Sequence, residues 1–179
     1  MSVRWPAAAK RSPSCGGDDL RMQTRIVNGI TIRPLRAGDT ATVTALFEQL
    51  GEESRRRRFA GAKPRLSEAE LDQLSRVDGT RHVLVAYLPG NHRPTGIAHL
   101  ARDGQTAEIA CAVADACQGR GIGRVLLAEM VALARAAGIR ELRAVVAGDN
   151  RPALSLVTRV ARLRPGNWSD GSGEFVVAL

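Results

Sequence analysis

The chain has few aromatic residues, no long apolar run and no export signal. Aromatic side chains make up 3% of the 179 residues, whereas hydrophobic residues make up 44%, so we expect a core built from aliphatic side chains. No segment approaches the roughly 18 consecutive apolar residues that a membrane span needs. The N-terminal segment is charged and lacks the apolar stretch of a secretory signal. We therefore expect no membrane partner and a cytoplasmic location.

Cysteine and histidine are too few and too scattered to indicate a disulfide framework or a metal centre. Cys15, Cys111 and Cys117 form an odd set, which is typical of a reducing compartment. No histidine lies near Cys111 or Cys117 in the sequence, and the three histidines lack metal-ligand or triad spacing. We interpret these two cysteines as small core residues, with thiol catalysis as the alternative, and we expect no metal.

Basic side chains outnumber acidic ones, by 26 Lys and Arg against 18 Asp and Glu. Nearly all are arginine, since only Lys10 and Lys63 are lysines. The excess reflects either genome composition or attraction of a polyanion, such as a CoA-type cofactor or a nucleic acid. No basic patch interleaved with aromatic residues is present, so no nucleic-acid partner is expected. The arginine run 55–58 is either a contact for an acidic substrate or CoA phosphate, or a solvated helix face or turn.

The most informative segment is the glycine-rich stretch 118–123. An apolar strand pattern, 107–113, precedes it, and an amphipathic helix pattern, 122–137, follows it. A glycine-rich turn that leads into a helix N-terminus offers amide N–H groups without helical partners, together with the positive end of the helix dipole. The segment therefore predicts a site for phosphates, and in particular for a pyrophosphate.

Three kinds of nucleotide loop compete for this segment. A Walker A loop requires Gly-Lys-Ser/Thr, but Arg124 follows Gly123. A Rossmann loop requires Gly-x-Gly-x-x-Gly with an acidic residue about 20 positions later, and neither its third glycine nor its acidic residue is in place. The acetyl-CoA loop of the GNAT acetyltransferases, Gln/Arg-x-x-Gly-x-Gly/Ala, is matched by Gln118, Gly121 and Gly123. A plain glycine-rich loop is the remaining alternative.

The rest of the chain predicts one domain of the α+β (mixed α/β) class. Residues 1–24 lack periodicity and are expected to be a disordered tail or an upstream coding artefact, followed by a single domain at 25–179. The predicted order is strand, two helices, three antiparallel strands, helix, strand, helix, strand. This order indicates a central mixed, mostly antiparallel sheet flanked by helices.

Local signals fix the ends of several predicted elements. Asp39 is expected to cap one helix, and Ser67 with Glu70 forms a capping box for the next. Asp103-Gly104 predicts a hairpin turn, and Gly138 suits the end of the long helix.

Residues 30–157 resemble the GNAT fold in element order and lengths, and 112–123 resembles its central signature. Segments 47–59, 66–71 and 107–110 are similar to the catalytic domain of bacterial protein lysine acetyltransferases. The resemblance implies acetyl-CoA as cosubstrate, held in a V-shaped gap between two central strands, and an amine acceptor. It implies cofactor contacts from the backbone of Ala112 and Val113, from Gln118, Gly119, Arg120, Gly121, Ile122, Gly123 and Arg124 around the pyrophosphate, and from Asn150.

Glu108 is the candidate catalytic residue. It stands in a strand otherwise made of small apolar residues, on the face of Ala110 and Ala112 by the period of two. The resemblance places a general base here, while the alternative is a glutamate at the solvated start of the strand. His99 is either a second group in the same cleft or a packed strand histidine.

Two features depart from the family pattern. Many relatives carry a tyrosine that protonates the leaving thiolate where Val157 stands, and the helix usually ends in Leu-Gly-Phe where Val160-Ala161-Arg162 stands. Within the signature, many members carry proline where Asp115 stands. The changes at Val157 and at the helix ending are the reason why a silent module is one of the alternatives. The chain is expected to acetylate a protein lysine, and the alternatives are a small-molecule amine acetyltransferase and a catalytically silent CoA-binding module.

Overall fold

The computed structural model describes residues 23–160, 164–169 and 171–179. All but the last two residues of the predicted tail lie outside this part of the chain. The helices are α1 (Thr40–Phe47), α2 (Glu52–Phe59), α3 (Glu68–Leu74), α4 (Ile122–Ala136) and α5 (Arg151–Val160). The strands are β1 (Arg25–Val27), β2 (Ile30–Pro34), β3 (Arg81–Tyr87), β4 (Gly96–Asp103), β5 (Thr106–Val113), β6 (Glu141–Ala147), β7 (Arg164–Ser169) and β8 (Ser172–Ala178).

One sheet contains all these strands, in the order β1-β2-β3-β4-β5-β6-β8-β7. Every neighbouring pair is antiparallel except β5 and β6, which are parallel. The predicted class, a mixed and mostly antiparallel sheet flanked by helices, is therefore confirmed. The β4–β5 hairpin turns through Gly104, whose φ of 60° suits glycine.

The parallel pair at the centre of the sheet is short. Only Thr106–Glu108 of β5 pairs with Glu141–Arg143 of β6, after which the two strands separate. On their outer sides, β4 accompanies β5 to Val113 and β8 accompanies β6 to Ala147. The sheet therefore opens into a V-shaped gap at the carboxyl ends of its two parallel strands.

The two faces of the sheet are covered by different helices. α4 packs on the face of β3, β4 and β5 that carries Gly96, where a Cβ would lie 2.8 Å from Ile122 Cγ2. The opposite face carries Ile97, His99 and Ala112, which meet side chains of α1, α2 and α3. As expected, the core is aliphatic. No helix among the described residues is both long and apolar enough to cross a lipid bilayer.

The predicted helix ends are confirmed. Asp39 Oδ1 accepts from the Thr42 amide at 3.0 Å, and Ser67 with Glu70 forms a capping box. Gly138 has a φ of 69°, and its amide donates to a carbonyl of the last turn of α4 at 3.0 Å. Each signal is local in sequence, so it could be recognised without tertiary information.

Three elements were not predicted. α2 has a charged sequence without an apolar stripe, so periodicity gave no signal. β1 has only three residues. β7 contains Pro165 and Gly166, is exposed throughout and lies at the edge of the sheet, where proline is tolerated.

Candidate functional site

The gap exposes one backbone edge of β5. The Gln105 carbonyl, just before β5, accepts from amides at the start of β6 at 2.8 and 3.2 Å. Because backbone groups alternate between the two edges of a strand, those of Cys111 and Val113 also point towards β6, beyond the last pair. The backbone amide and carbonyl of Ala112 point the other way, towards β4, where Ala112 is paired with Ile97. Of the two residues predicted to pair with pantetheine, Val113 thus directs its amide and carbonyl into the gap, with Cys111 beside it.

The glycine loop follows the exposed edge of β5, at the open end of the gap. Gly119 and Gly121 have φ values of 76° and 81°, a conformation that glycine adopts without cost. Gly121 is the N-cap of α4, no side chain caps the helix, and the first helical bond runs from the Val125 amide to the Gly121 carbonyl at 3.1 Å. Within the part of the chain that the structure describes, the amides from Gly119 to Arg124 donate no hydrogen bond. This run of amides at a helix N-terminus is suited to an anion.

Gln118 belongs to the support of the loop. Its amide donates to the Asp115 carbonyl at 3.2 Å. Its side-chain Nε2 donates to Asp115 Oδ1 at 3.0 Å and to the Val113 carbonyl at 3.3 Å. The first residue of the loop is therefore braced from within the chain, and the amides without an acceptor begin at Gly119.

Glu108 lies at the apex of the gap. It is half-buried, and its register partner Arg143 is the last residue of β6 that pairs with β5. Its side chain is on the same face as Ala110 and Ala112, as predicted, because residues two apart share a face. The carboxylate is therefore at the closed end of the same gap whose open end carries the glycine loop.

A pocket under α2 lies on the same face of the sheet as Glu108, which is not one of its lining residues. It is lined mainly by apolar side chains, with Arg58 and His99 as its charged and polar members. Both are 2% exposed. His99 Nε2 donates to the Leu74 carbonyl at 3.0 Å, so Nδ1 is the acceptor that Arg58 Nη2 approaches at 3.4 Å. His99 is thus a packed strand histidine, and it lines this pocket.

Burial is the main cause of the shifted pKa values of His99 and Arg58. Burial, and then the cation of Arg58, holds the pKa of His99 well below its usual value, so the ring is neutral at pH 7. Burial also lowers the pKa of Arg58 to about 10, while the Glu108 carboxylate acts in the opposite direction. Arg58 remains protonated at neutral pH, and the pocket holds a cation within electrostatic reach of Glu108.

The arginine run contacts the protein itself. Arg55 stacks on Phe47, with Cζ 4.2 Å from the ring centroid, and donates to the Phe47 carbonyl at 3.2 Å. Arg56 and Arg57 bond to Asp149 at 3.1 and 3.2 Å. Since Asp149 follows β6, these two arginines attach α2 to the far wall of the gap. The run is therefore neither a free anion site nor a merely solvated face.

Asn150 caps the last helix, as predicted. Its Oδ1 accepts from the Ala153 amide at 3.3 Å, and the residue is fully buried. Val157 is also fully buried, so this position offers no group that could protonate a leaving thiolate. The sequence predicted no other side chain of α5 as the group that protonates the leaving thiolate.

The cysteines are core residues, as expected. Cys111 and Cys117 are buried and free, and burial raises the pKa of the Cys111 thiol to about 12. A thiol of this kind is not a nucleophile at neutral pH. Among the residues that the structure describes, no group of three His, Cys, Asp or Glu side chains is placed to hold a metal ion.

The chain is similar to known acetyltransferases. Residues 45–161 match the model of the acetyltransferase (GNAT) family. An acetyltransferase of Pseudomonas aeruginosa is 32% identical over 127 residues, 68% of each chain. The acetyltransferase Pat of Mycolicibacterium smegmatis is 28% identical over 143 residues, which are 78% of this chain and 43% of Pat.

The fold has a similar counterpart among solved structures. The GNAT domain of S. lividans PAT superposes with a TM-score of 0.76 at 27% identity. The superposition covers 84% of this chain and 90% of that domain.

Proposed function

Because the chain belongs to the acetyltransferase (GNAT) family, we propose that it transfers the acetyl group of acetyl-CoA directly to a primary amine, a protein lysine, in a ternary complex. One observation carries the proposal. β5 and β6 separate after three paired residues, and the strand edge that this frees leads to a run of amides without acceptors at the start of α4. An extended arm that ends in a pyrophosphate fits that arrangement.

The cofactor contacts follow the order of these backbone groups. Val113, with Cys111, would pair with the amides of the pantetheine arm, in the way that an added strand pairs with a sheet edge. The amides from Gly119 to Arg124 would hold the pyrophosphate, because charge-assisted bonds to backbone N–H groups are strong. The buried Asn150 would act from the cap of α5. Bound acetyl-CoA supplies the acetyl group as an activated thioester.

Glu108 would act as the general base, directly or through a water molecule. A lysine amine has a pKa of about 10.4, so reaching the free base at pH 7 costs roughly 4 to 5 kcal/mol. A carboxylate positioned to take the proton contributes about 10² to 10⁴-fold in rate. The cations of Arg58 and Arg143 lie within electrostatic reach of the Glu108 carboxylate.

The acceptor would enter from the face of the sheet that carries Glu108. From the last pair onwards this face of β6 is not fully covered, since Arg143 is exposed and Val145 and Ala147 are half-buried. An open approach of this kind suits a side chain presented by a large partner. The similarity of segments 47–59 and 66–71 to protein lysine acetyltransferases supports a protein acceptor over a small amine.

Two measurements on the purified protein test the proposal. Calorimetry with CoA should show saturable binding, with NAD as the control that a Rossmann site would prefer. Incubation with acetyl-CoA and a panel of folded proteins, peptides and small amines should release CoA and acetylate lysine side chains, as read by mass spectrometry. Turnover of small amines alone would favour the small-molecule alternative. Binding without turnover of any acceptor would leave a silent CoA-binding module.

A further inference from the structure

A single carboxylate joins the glycine loop to α2. Asp115 stands between β5 and the loop, and its Oδ1 accepts from Ser54 Oγ at 2.6 Å and from Gln118 Nε2 at 3.0 Å. Its Oδ2 accepts from the Gly51 amide at 3.0 Å. The same side chain therefore bonds to the first residue of the loop and to two positions in the first turn of a helix more than 60 residues earlier in the chain.

α2 obtains its N-terminal cap from this carboxylate. Gly51 is the N-cap residue and has no side chain to offer, so Asp115 supplies the negative charge that a helix N-terminus favours. A Cβ at Gly51 would lie 2.6 Å from Asp115 Oδ2. A larger residue at this position would therefore have to displace the Asp115 carboxylate from the start of α2.

The inner face of α2 carries the link to the pocket. Ser54 and Arg58 are the buried residues of the helix and lie one turn apart, on the same face. Ser54 bonds to Asp115, whereas Arg58 approaches His99 in the pocket that Ala112 also lines. Because Arg58 lies on α2, the position of α2 relative to the loop determines where Arg58 lies against His99. These two residues form a wall on the side of the sheet from which the acceptor would approach.

We propose that Asp115 is a positioning residue, which sets α2 and the wall formed by Arg58 and His99 against the loop that holds the cofactor. This inference rests on the proposed function. A proline at this position, as in many relatives, would offer no acceptor to Ser54 or to the Gly51 amide. Losing the bond loosens the acceptor side while the loop amides stay in place. The Michaelis constant for the acceptor therefore changes more than the affinity for CoA.

Steady-state kinetics and calorimetry on Ser54→Ala and Asp115→Ala test this. Both variants should raise the KM for the acceptor, and Ser54→Ala should raise it by about tenfold, the order expected for one hydrogen bond to a charged group. In Ser54→Ala the kcat and the Kd for CoA should stay within about twofold of wild type, because the bond from Gln118 to Asp115 remains. In the double variant the Ser54→Ala change should add nothing to Asp115→Ala, because the alanine at position 115 has already removed the acceptor of the Ser54 bond.

Thr42→Val is the matched control. It removes a hydroxyl–carboxylate bond of the same kind, from Thr42 Oγ1 to Asp39 Oδ2 at 2.7 Å, at the start of α1. It should leave the acceptor KM unchanged. The inference is overturned if Ser54→Ala and Thr42→Val behave alike, if the two Asp115-linked changes are additive, or if both variants retain the wild-type KM in an active enzyme. A wild-type protein that binds no CoA overturns the proposed function instead.

Discussion

Glu108 and Arg143 are the last register partners of β5 and β6. Arg143 Nε donates to Glu141 Oε1 at 2.7 Å. That bond, and to a lesser extent the charge of Glu108, raises the pKa of Arg143. The candidate base is therefore placed where the strands separate, beside a cation that is held by its own strand. Sheet topology, rather than a local motif, puts a carboxylate at the closed end of the gap.

Glu108→Gln should lower kcat by about 10² to 10⁴-fold, because the amide cannot accept a proton from the acceptor amine. CoA affinity should not change. The residual activity should rise with pH, since a larger fraction of the amine is then unprotonated. Steady-state kinetics from pH 6 to pH 9 measure both effects. Glu129→Gln, at the Arg25 ion pair on α4, is the control, and an unchanged kcat in Glu108→Gln would remove this residue from the role.

Gly121→Ala should weaken CoA binding, whereas Gly138→Ala should not. Both glycines have positive φ and open space around a Cβ, so each alanine should destabilise the protein by about 1 kcal/mol through backbone strain alone. Only Gly121 lies in the loop, at the start of α4, while Gly138 follows its end. Thermal unfolding and calorimetry with CoA separate the two effects. Equal loss of CoA affinity in both variants would contradict the assignment of the loop.

Stability should fall as pH decreases below about 6.5, through His99. Its pKa is depressed in the folded protein by burial, so the unfolded chain takes up the proton first. The loss of unfolding free energy is at most about 1.4 kcal/mol per pH unit for this group. It begins at the unfolded pKa and ends at the depressed folded one. Urea unfolding at pH 7.5, 6.5 and 5.5 measures it.

His99→Gln should flatten this dependence, and His92→Gln, at an exposed position, should not. His82 contributes in the same direction, because burial lowers its pKa too. The bond from Lys63 lowers the pKa of Glu70 to about 2, so the contribution of that carboxylate is lost only below about pH 4.5. A profile that is flat between pH 7.5 and 5.5 in the wild type would show that His99 accepts its proton in the folded state.

Cys111 should resist alkylation in the folded protein. Burial raises its pKa to about 12, and the thiolate is the reactive form. After iodoacetamide at pH 8, mass spectrometry should find the Cys111 peptide unmodified without denaturant and modified in urea. Cys111→Ala should keep the wild-type kcat. Rapid labelling of the folded protein, or loss of kcat in this variant, would reopen thiol catalysis.

The sequence predicted those features that depend on neighbouring residues. The capping box at Ser67 and the C-terminal glycine at Gly138 are local, and the structure contains both. α2 was missed because its cap is Asp115, which lies more than 60 residues away. The position of Asn150 as a helix cap was predicted, but its complete burial depends on packing that a single sequence does not display.

The backbone directions at the gap were also beyond the sequence. Whether Ala112 or Cys111 points its amide towards β6 depends on the register of β5 with two neighbours. Register is set by non-local pairing, and a shift of one residue exchanges the two sets of groups. The glycine loop could be assigned from residue types alone, whereas the strand edge beside it required the pairing.

The brief pairing of β5 with β6 divides the pleated layer into two halves. Three residue pairs form the seam between them, and α4 bridges it by packing on β2 to β5 and on α5. A ligand bound in the gap would contact both halves of the sheet and stabilise their position relative to each other. Amide hydrogen exchange would then slow in β8 and β6 as well as in β4 and β5, so that occupancy of one cleft is felt across the whole molecule.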